Sequence, residues 1–143
     1  MDNVKYRAVS YIRVAFADKR TGENTESEGV ATQRSLIKGW LEGYPDIEVI
    51  AEMVDDGVSG LSLDRPAFKD MLRLIEQGEI NCVISSDLNR LGRGLHIQKH
   101  CLHRIFSAYG IRYIAVFNGY DSLTGDYLTK DKTLQEALLT LSR

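Results

Sequence analysis

Four arginines lie at or just after the ends of predicted strands in this 143-residue chain: Arg13, Arg65, Arg90 and Arg93. A guanidinium group keeps its charge and pairs with two phosphate oxygens at once, so several arginines in one place are typical of a phosphate site. Most single loop arginines are solvated surface charges. Arg13, however, interrupts an apolar run from Ala8 to Val14, where a charge without a partner is costly. We therefore predict that the four arginines gather around one phosphate-sized site beside Ala15.

Other kinds of site are less well supported by the sequence. Neither glycine pattern of nucleotide-binding loops occurs, G-x-G-x-x-G after the first strand or G-x-x-x-x-G-K-[ST] anywhere. His96, His100 and His103 share one helical pattern without the H-E-x-x-H motif or an evident fourth ligand, so we expect no metal and no cofactor there. Carboxylates at strand ends leave a Mg²⁺-dependent phosphoryl-transfer enzyme as an alternative: Asp55, Asp56, Asp87 and Asp121.

The composition restricts the possible partners. A net charge of -2 and a pI near 5.9 argue against a surface that is basic throughout, so contact with nucleic acid would depend on the local arginine cluster. Cys82 and Cys101 fall in apolar patterns, and we interpret them as buried thiols of a reducing compartment. We find no signal peptide and no apolar run long enough to span a membrane, so we expect a soluble cytoplasmic domain with no membrane partner.

Strand-like and helical patterns alternate along the chain, as in α/β proteins. Runs rich in Val, Ile and Tyr predict strands at residues 7–14, 47–54, 82–85 and 112–117, and their nearly continuous apolar character predicts a sheet covered on both faces. Apolar stripes predict helices at residues 30–41, 66–76 and 95–109, the second with Asp64 as its N-cap. The order predicts a central, mostly parallel sheet of four to five strands with helices on both faces, and a site at the carboxyl ends of the strands.

Four motifs follow one another along the chain: Y-I-R-V-A at residues 11–15, D-G-V-S-G at 56–60, R-P at 65–66 and N-R-L-G-R at 89–93. In this order they resemble the catalytic domain of serine recombinases, the family of resolvases, invertases, large serine integrases and transposon-excision enzymes. The family patterns are Y-x-R-V-S, D-x-x-S-G, R-P and D-R-L-G-R, and Gln33 matches a glutamine that follows the first. The similarity covers about residues 6–122. Asp87 with Leu88, and residues 119–122, look most like the large transposon-excision branch.

The resemblance implies both an activity and a set of site residues. In this family a serine attacks a DNA phosphodiester, forms a 5′-phosphoserine bond and frees a 3′-hydroxyl, while arginines neutralise the phosphorane in place of a metal. It implies a site-specific DNA recombinase that binds DNA and assembles into dimers and tetramers as a full-length protein. The implied site residues are Arg13, Gln33, Asp56, Ser59, Arg65, Arg90 and Arg93, with Tyr11, Asp87 and Asn89 in secondary positions and Ala15 at the nucleophile position.

The same resemblance predicts how the chain is divided. Residues 1–125 are expected to form the resolvase-like catalytic domain. Residues 126–143 are expected to begin a C-terminal helix, and an apolar helical pattern starts at Leu134. In the family, separate C-terminal domains choose the DNA target, so the target itself is not predicted here.

Position 15 departs from the family pattern, because Ala15 stands where a serine is expected. A methyl group cannot attack phosphorus. Ser10 cannot replace it, since it lies five residues upstream on the opposite face of the strand, roughly 16 Å away at the usual rise per residue. We expect the chain to contact DNA without cutting it, and we interpret Ala15 as an engineered replacement because the arginine set is intact. A natural pseudo-enzyme acting as a regulatory or assembly module is the alternative.

Asn89 is a second departure, because the family motif has an aspartate there. The substitution removes a negative charge beside Arg90. Asp87 is the candidate to supply that carboxylate instead.

Overall fold

A computed structural model of the chain describes residues 4–15, 28–57 and 64–123. Within these ranges the strands are β1 (Tyr6–Val14), β2 (Ile47–Asp56), β3 (Cys82–Ser85), β4 (Arg112–Ala115) and β5 (Tyr120–Asp121). The helices are α1 (Glu28–Leu41), α2 (Pro66–Glu76), a 3₁₀ helix (Leu88–Arg90), α3 (Leu95–Lys99) and a π-helix (His100–Phe106) that continues α3.

The described strands form one sheet in the order β2-β1-β3-β4-β5. The pairs β1–β2, β1–β3 and β3–β4 are parallel, and β5 pairs with β4 antiparallel. The predicted α/β class and mostly parallel sheet are therefore confirmed. The three parallel pairs align the carboxyl ends of β1, β2, β3 and β4 at one end of the sheet, which is where parallel α/β folds place their sites.

Alternate residues of β1 point to opposite faces of the sheet, and each face is covered by helices. Val9 and Tyr11 pack with residues of α2 and the π-helix, such as Phe68 and Phe106. Ala8, Ile12 and Val14 pack on the other face with residues of α1, such as Val30 and Ile37. Because side chains alternate along a strand, Arg13 belongs to the Tyr11 face. This alternation sets which side of β1 can carry the site.

Two of the predicted strands differ from the observed ones. Strand β2 was expected to be covered on both faces, but it lies at the edge of the sheet, and Glu48, Val49 and Ile50 near its start are exposed. The fourth strand was expected to reach Phe117, but β4 ends at Ala115 and Phe117 is 77% exposed. A turn follows β4 and reverses the chain into the antiparallel β5, and a run of apolar letters does not reveal such a turn.

Two helix predictions also need correction. Asp64 is not the N-cap of α2; that position is held by Arg65, without a side-chain cap. Asp64 instead forms an ion pair with Lys69. The single α-helix predicted at residues 95–109 is an α-helix only to Lys99 and then a π-helix to Phe106. An apolar stripe shows which residues face the core, but it does not distinguish these two hydrogen-bond spacings.

The two cysteines of the chain lie in the hydrophobic core. Cys82 and Cys101 are buried and free, as predicted, and burial raises the pKa of each thiol to about 12. Both thiols therefore stay protonated near neutral pH and are poor nucleophiles. No helix among the described residues is long and apolar enough to cross a membrane.

A buried ion pair joins strands β4 and β5. The guanidinium of Arg112 on β4 donates to the carboxylate of Asp121 on β5 through Nε at 3.1 Å and Nη2 at 2.7 Å. Both side chains are buried, and the guanidinium also lies over the ring of Tyr6, 4.7 Å from its centroid. Removal of either partner would leave the other charge buried without compensation.

We expect Asp121→Ala to lower the free energy of unfolding by about 3–5 kcal/mol, because Arg112 is then left buried without its carboxylate. Urea unfolding followed by circular dichroism measures the change. Asp70→Ala is the matched control, since it breaks an exposed ion pair with Arg73 and should cost less than about 1 kcal/mol. Equal losses for the two variants would contradict the assignment of the buried pair.

Candidate active site

Strand β1 extends past the end of β3, and side chains satisfy its backbone there. Pairing between β1 and β3 stops at Ser10. Beyond it, the backbone N–H of Arg13 donates to Oε1 of Gln33 at 3.3 Å, and Nε2 of Gln33 donates to the carbonyl of Arg13 at 2.9 Å. The buried amide of Gln33 thus takes the place of a neighbouring strand. It fixes the main chain of β1 where Arg13 projects and ties that point to α1.

The side chain of Arg13 reaches across to the 3₁₀ helix. Its Nη2 donates to the carbonyl of Asn89 at 2.6 Å, and its Nε donates to the carbonyl of Arg90 at 3.3 Å. In return, Nη1 of Arg90 donates to the carbonyl of Arg13 at 2.9 Å. Each arginine therefore holds the backbone of the other, so the two guanidinium groups are oriented before any ligand binds.

The electrostatics of Arg13 reflect the same gathering of charge. Its side chain is buried. Burial, and then the charge of Arg65, hold the pKa of Arg13 below its ordinary value, and Arg90 and Arg93 act in the same direction. Like charges this close repel one another, so a bound anion would relieve the repulsion.

Asp87 organises the short 3₁₀ helix that carries Arg90. Its carboxylate accepts from the backbone N–H of Asn89 at 3.0 Å and from Nε of Arg90 at 3.2 Å. Oδ1 of Asn118, in the turn after β4, accepts from the backbone N–H of Leu88 at 2.7 Å. The carboxylate beside Arg90 therefore comes from Asp87, which was the candidate to replace the aspartate missing at position 89.

Arg65 supports this region from inside the protein. Its side chain is fully buried. Nη1 donates to the carbonyl of Arg90 at 3.0 Å and to the hydroxyl of Tyr11 at 3.1 Å, and Nη2 donates to the carbonyl of Leu91. The guanidinium also lies 4.5 Å from the centroid of the Phe68 ring, a favourable distance for a cation above an aromatic face. Arg65 thus holds the main chain of the turn that presents Arg90 and Arg93.

Asp55 completes the buried network, although the sequence motifs do not mark it as a recombinase site residue. Its Oδ2 accepts from the hydroxyl of Tyr11 at 2.7 Å and from the backbone N–H of Phe68 at 3.0 Å, and its Oδ1 accepts from the backbone N–H of Ala67 at 2.9 Å. Asp55 therefore caps the first turn of α2 from another element. Burial raises the pKa of Tyr11 far above its ordinary value, so the phenol keeps its proton and donates it.

A cleft of about 390 Å³ opens above this framework at the end of β1. Its lining residues are Arg13, Ala15, Asn89, Arg90, Arg93 and Gly94. Arg93 is exposed, and its guanidinium has no hydrogen-bond acceptor among residues 4–15, 28–57 and 64–123. Three cationic side chains and the methyl group of Ala15 therefore face the same space, which is of a size to hold a phosphate group.

Three of the four arginines predicted to gather beside Ala15 do so. The exception is Arg65, which is not among the residues that line the cleft and lies beneath the turn instead. Asp56 is the last residue of β2, next to Val14 in the sheet register, and Ser59 lies outside the described residues. Ser10 lies in a separate groove beside Arg34 of α1. The catalytic roles assigned to these residues from the sequence remain predictions.

The carboxylates of the alternative magnesium site are engaged elsewhere. Asp55 caps α2, Asp87 binds Arg90, and Asp121 binds Arg112. Across the ranges that the structure describes, no three His, Cys, Asp or Glu side chains are grouped as metal ligands, and this includes the histidines of residues 96–103. Nothing in this part of the chain brings carboxylates together as a Mg²⁺ site requires.

Comparison with solved structures places this architecture among recombinase catalytic domains. The N-terminal catalytic domain of TP901-1 integrase is 20% identical, with a TM-score of 0.71 over 95% of this chain and 91% of that chain. A resolvase family site-specific recombinase from Streptococcus pneumoniae is 27% identical, with a TM-score of 0.66 over 96% and 86%. The C-terminal catalytic domain of ISC1926 TnpA, an IS607-like serine recombinase, is 21% identical, with a TM-score of 0.60 over 94% and 78%.

The family model of the resolvase N-terminal domain matches residues 8–140. The chain therefore belongs to the resolvase N-terminal domain family, the catalytic domains of serine recombinases. The resemblance inferred from the four sequence motifs is confirmed at this level.

We expect Arg65→Lys to lower the free energy of unfolding by about 3 kcal/mol, because one ammonium group cannot reach two carbonyls and a hydroxyl at once. Guanidinium chloride unfolding measures the change. The matched control is Arg73→Lys, at an exposed arginine on α2, for which a change within about 0.5 kcal/mol is expected. If Arg65→Lys were as stable as the parent chain, the buried arginine would not be holding the turn.

Proposed function

We propose that this chain is the catalytic domain of a site-specific DNA recombinase, that its arginine cleft binds the scissile phosphate of DNA, and that it cannot cut that phosphate. The observation that carries the proposal is the convergence of Arg13, Arg90 and Arg93 around the methyl group of Ala15. Guanidinium groups are the protein donors best matched to phosphate oxygens. Their position at the end of β1 agrees with the nucleophile position of the family pattern.

The step that the chain is proposed to lack is nucleophilic attack on the DNA phosphodiester by a serine at position 15. A serine Oγ would attack phosphorus as the Oγ–P bond forms and the P–O3′ bond breaks, and the hydroxyl proton would end on the departing 3′ oxygen. The arginines would stabilise the negative charge that accumulates on the phosphorane oxygens, because fixed donors need little reorganisation during the reaction. Ala15 supplies no nucleophile, so the proposed cycle stops at the bound phosphate.

The origin of Ala15 has two explanations. We infer that it replaces a serine by engineering, and the support is a framework that still orients Arg13 and Arg90 against each other. A natural regulatory or assembly module is the second candidate, and Ala15 itself is the observation that favours it. The residue that the natural protein carries at position 15 distinguishes the engineered replacement from the natural module.

Assembly, location and domain limits belong to the same proposal. Dimers and tetramers of a full-length protein, action in the cytoplasm and a catalytic domain ending near residue 125 are all expected of a DNA recombinase of this kind. The family match extends to residue 140, past the proposed limit near residue 125. Analytical ultracentrifugation of this chain and of a chain shortened to residue 125 would test that limit.

We expect the chain to bind duplex DNA weakly and with a marked salt dependence, because its net charge is -2 and few cations face the cleft. Three phosphate contacts predict a slope of about -3 in a plot of log K against log salt concentration. Fluorescence anisotropy of a labelled duplex measures it. Arg93→Ala should reduce the slope by about 1. The control Arg73→Ala removes an exposed arginine of α2 and should leave the slope unchanged. Tight, sequence-specific binding at physiological salt would contradict this expectation.

We expect Ala15→Ser to restore covalent chemistry in a chain joined to a DNA-binding domain that brings it to a duplex. A protein–DNA adduct that resists denaturant should form at least about a thousandfold more efficiently than with the alanine chain, because no other group occupies the nucleophile position. Denaturing gel electrophoresis detects it. The double change Ser10→Ala with Ala15→Ser is the matched control and should form the same adduct. An adduct from the alanine chain itself would show that the nucleophile is wrongly assigned.

A further inference from the structure

The amide of Gln98, beneath the cleft, has an orientation fixed by its surroundings. Gln98 lies on α3 and is only 5% exposed. Its Nε2 donates to the carbonyl of Gly92 at 3.0 Å and to Oδ1 of Asn89 at 3.3 Å. A backbone carbonyl only accepts hydrogen bonds, so the reversed amide would place two oxygens against each other. Gly92 therefore determines that Gln98 presents its nitrogen on this side.

This fixed orientation of the Gln98 amide is energetically unfavourable for its oxygen atom. Its other amide atom, Oε1, is buried and has no hydrogen-bond donor among the described residues. An unsatisfied buried oxygen is destabilising. A side chain that only filled space could be apolar there without that penalty, so the position points to a use for the amide nitrogen.

The orientation of Gln98 determines that of Asn89. Because Nε2 of Gln98 faces it, Asn89 must present Oδ1 in that direction, and its Nδ2 lies on the other side of the planar amide. Asn89 lines the cleft, and its Nδ2 has no acceptor in the part of the chain that the structure describes. The backbone of Asn89 is also held, because its N–H donates to Asp87 at 3.0 Å and its carbonyl accepts from Arg13 at 2.6 Å.

We propose that Asn89 is a further phosphate-binding residue of the cleft, that its Nδ2 donates to a non-bridging oxygen of a DNA phosphodiester, and that Gln98 is the residue that positions it. This inference rests on the proposed function, since it concerns the same phosphate. The aspartate of the family motif would accept hydrogen bonds and repel the phosphate. Asparagine turns the position into a donor, so this chain holds the phosphate with three cations and one oriented amide.

The first test uses two substitutions at position 89, one that changes the charge of the side chain and one that removes its amide group. Asn89→Asp should weaken binding of a short duplex about tenfold at low salt, since a carboxylate would face the phosphate and compete for Arg13 and Arg90. Asn89→Ala should weaken it about fivefold, the worth of one neutral hydrogen bond. The matched control is Gln77→Glu, which adds the same charge at the exposed far end of α2 and should leave affinity within about twofold.

The second test separates positioning from general support of the fold. Gln98→Met keeps the volume of the side chain and removes the donor. It should weaken duplex binding about fivefold in the parent chain and have no effect in the Asn89→Ala background, because the two residues act through one hydrogen bond. A loss of equal size in both backgrounds would show that Gln98 only supports the fold, and would overturn its assigned role.

A spectroscopic measurement identifies the anion that reaches Asn89. In ¹H–¹⁵N spectra, the side-chain Nδ2 protons of Asn89 should shift when the chain is titrated with the duplex and, more weakly, with inorganic phosphate. The side-chain amide of Asn81, at the opposite end of β3, should not shift. A response to inorganic phosphate with none to the duplex would overturn the assignment to a DNA phosphodiester.

The outcomes also separate this inference from the function on which it rests. If Arg93→Ala weakens duplex binding while Asn89→Asp and Asn89→Ala bind as well as the parent chain, the role of Asn89 is wrong and the proposed function stands. If the arginine and asparagine variants all bind as the parent does, both are wrong.

Discussion

The side chain of Arg65 is fully buried, and a buried guanidinium is tolerated only where acceptors and aromatic rings surround it. The hydroxyl of Tyr11 on β1 accepts from Arg65 and donates to Asp55 of β2. Phe68 of α2 lies beneath the guanidinium, and the carbonyls of Arg90 and Leu91 accept from it. The hydrogen bonds of Nη1 and Nη2 therefore fix the start of α2, the ends of two strands and the turn after β3 relative to one another, while Nε of Arg65 is buried without a partner among the described residues.

The cleft depends on this framework, because hydrogen bonds to neighbouring elements orient its cations. Among the described residues, Arg13 and Arg90 donate to main-chain carbonyls, and Arg90 also donates to the carboxylate of Asp87. Carbonyl dipoles orient a guanidinium but leave its net charge for a ligand. The positive potential of the cleft is thus built into the resting protein, as preorganised electrostatic catalysis requires. The hydrogen bonds of Arg13 and Arg90 to these carbonyls do not involve the side chain at position 15.

The sequence was sufficient for the fold class, the order of the elements and three cleft arginines, because motif spacing and apolar periodicity determine these features. It did not distinguish the roles of Asp55 and Asp56. Adjacent residues of a strand point to opposite faces, so the buried partner of Tyr11 depends on the register of β2 against β1, which the letters do not encode. The inward orientation of Arg65 was missed for a related reason. A motif shows that an arginine is used, but it does not show whether ligand or backbone receives its hydrogen bonds.

A crystal structure of this chain with a short DNA duplex would show whether the three arginines around Ala15 form a phosphate site without a nucleophile. We expect one backbone phosphate in the cleft, hydrogen-bonded to the guanidinium groups of Arg13, Arg90 and Arg93, next to the methyl group of Ala15 and with its P–O3′ bond intact. A duplex bound through another surface, with the cleft arginines directed away from the DNA, would contradict it.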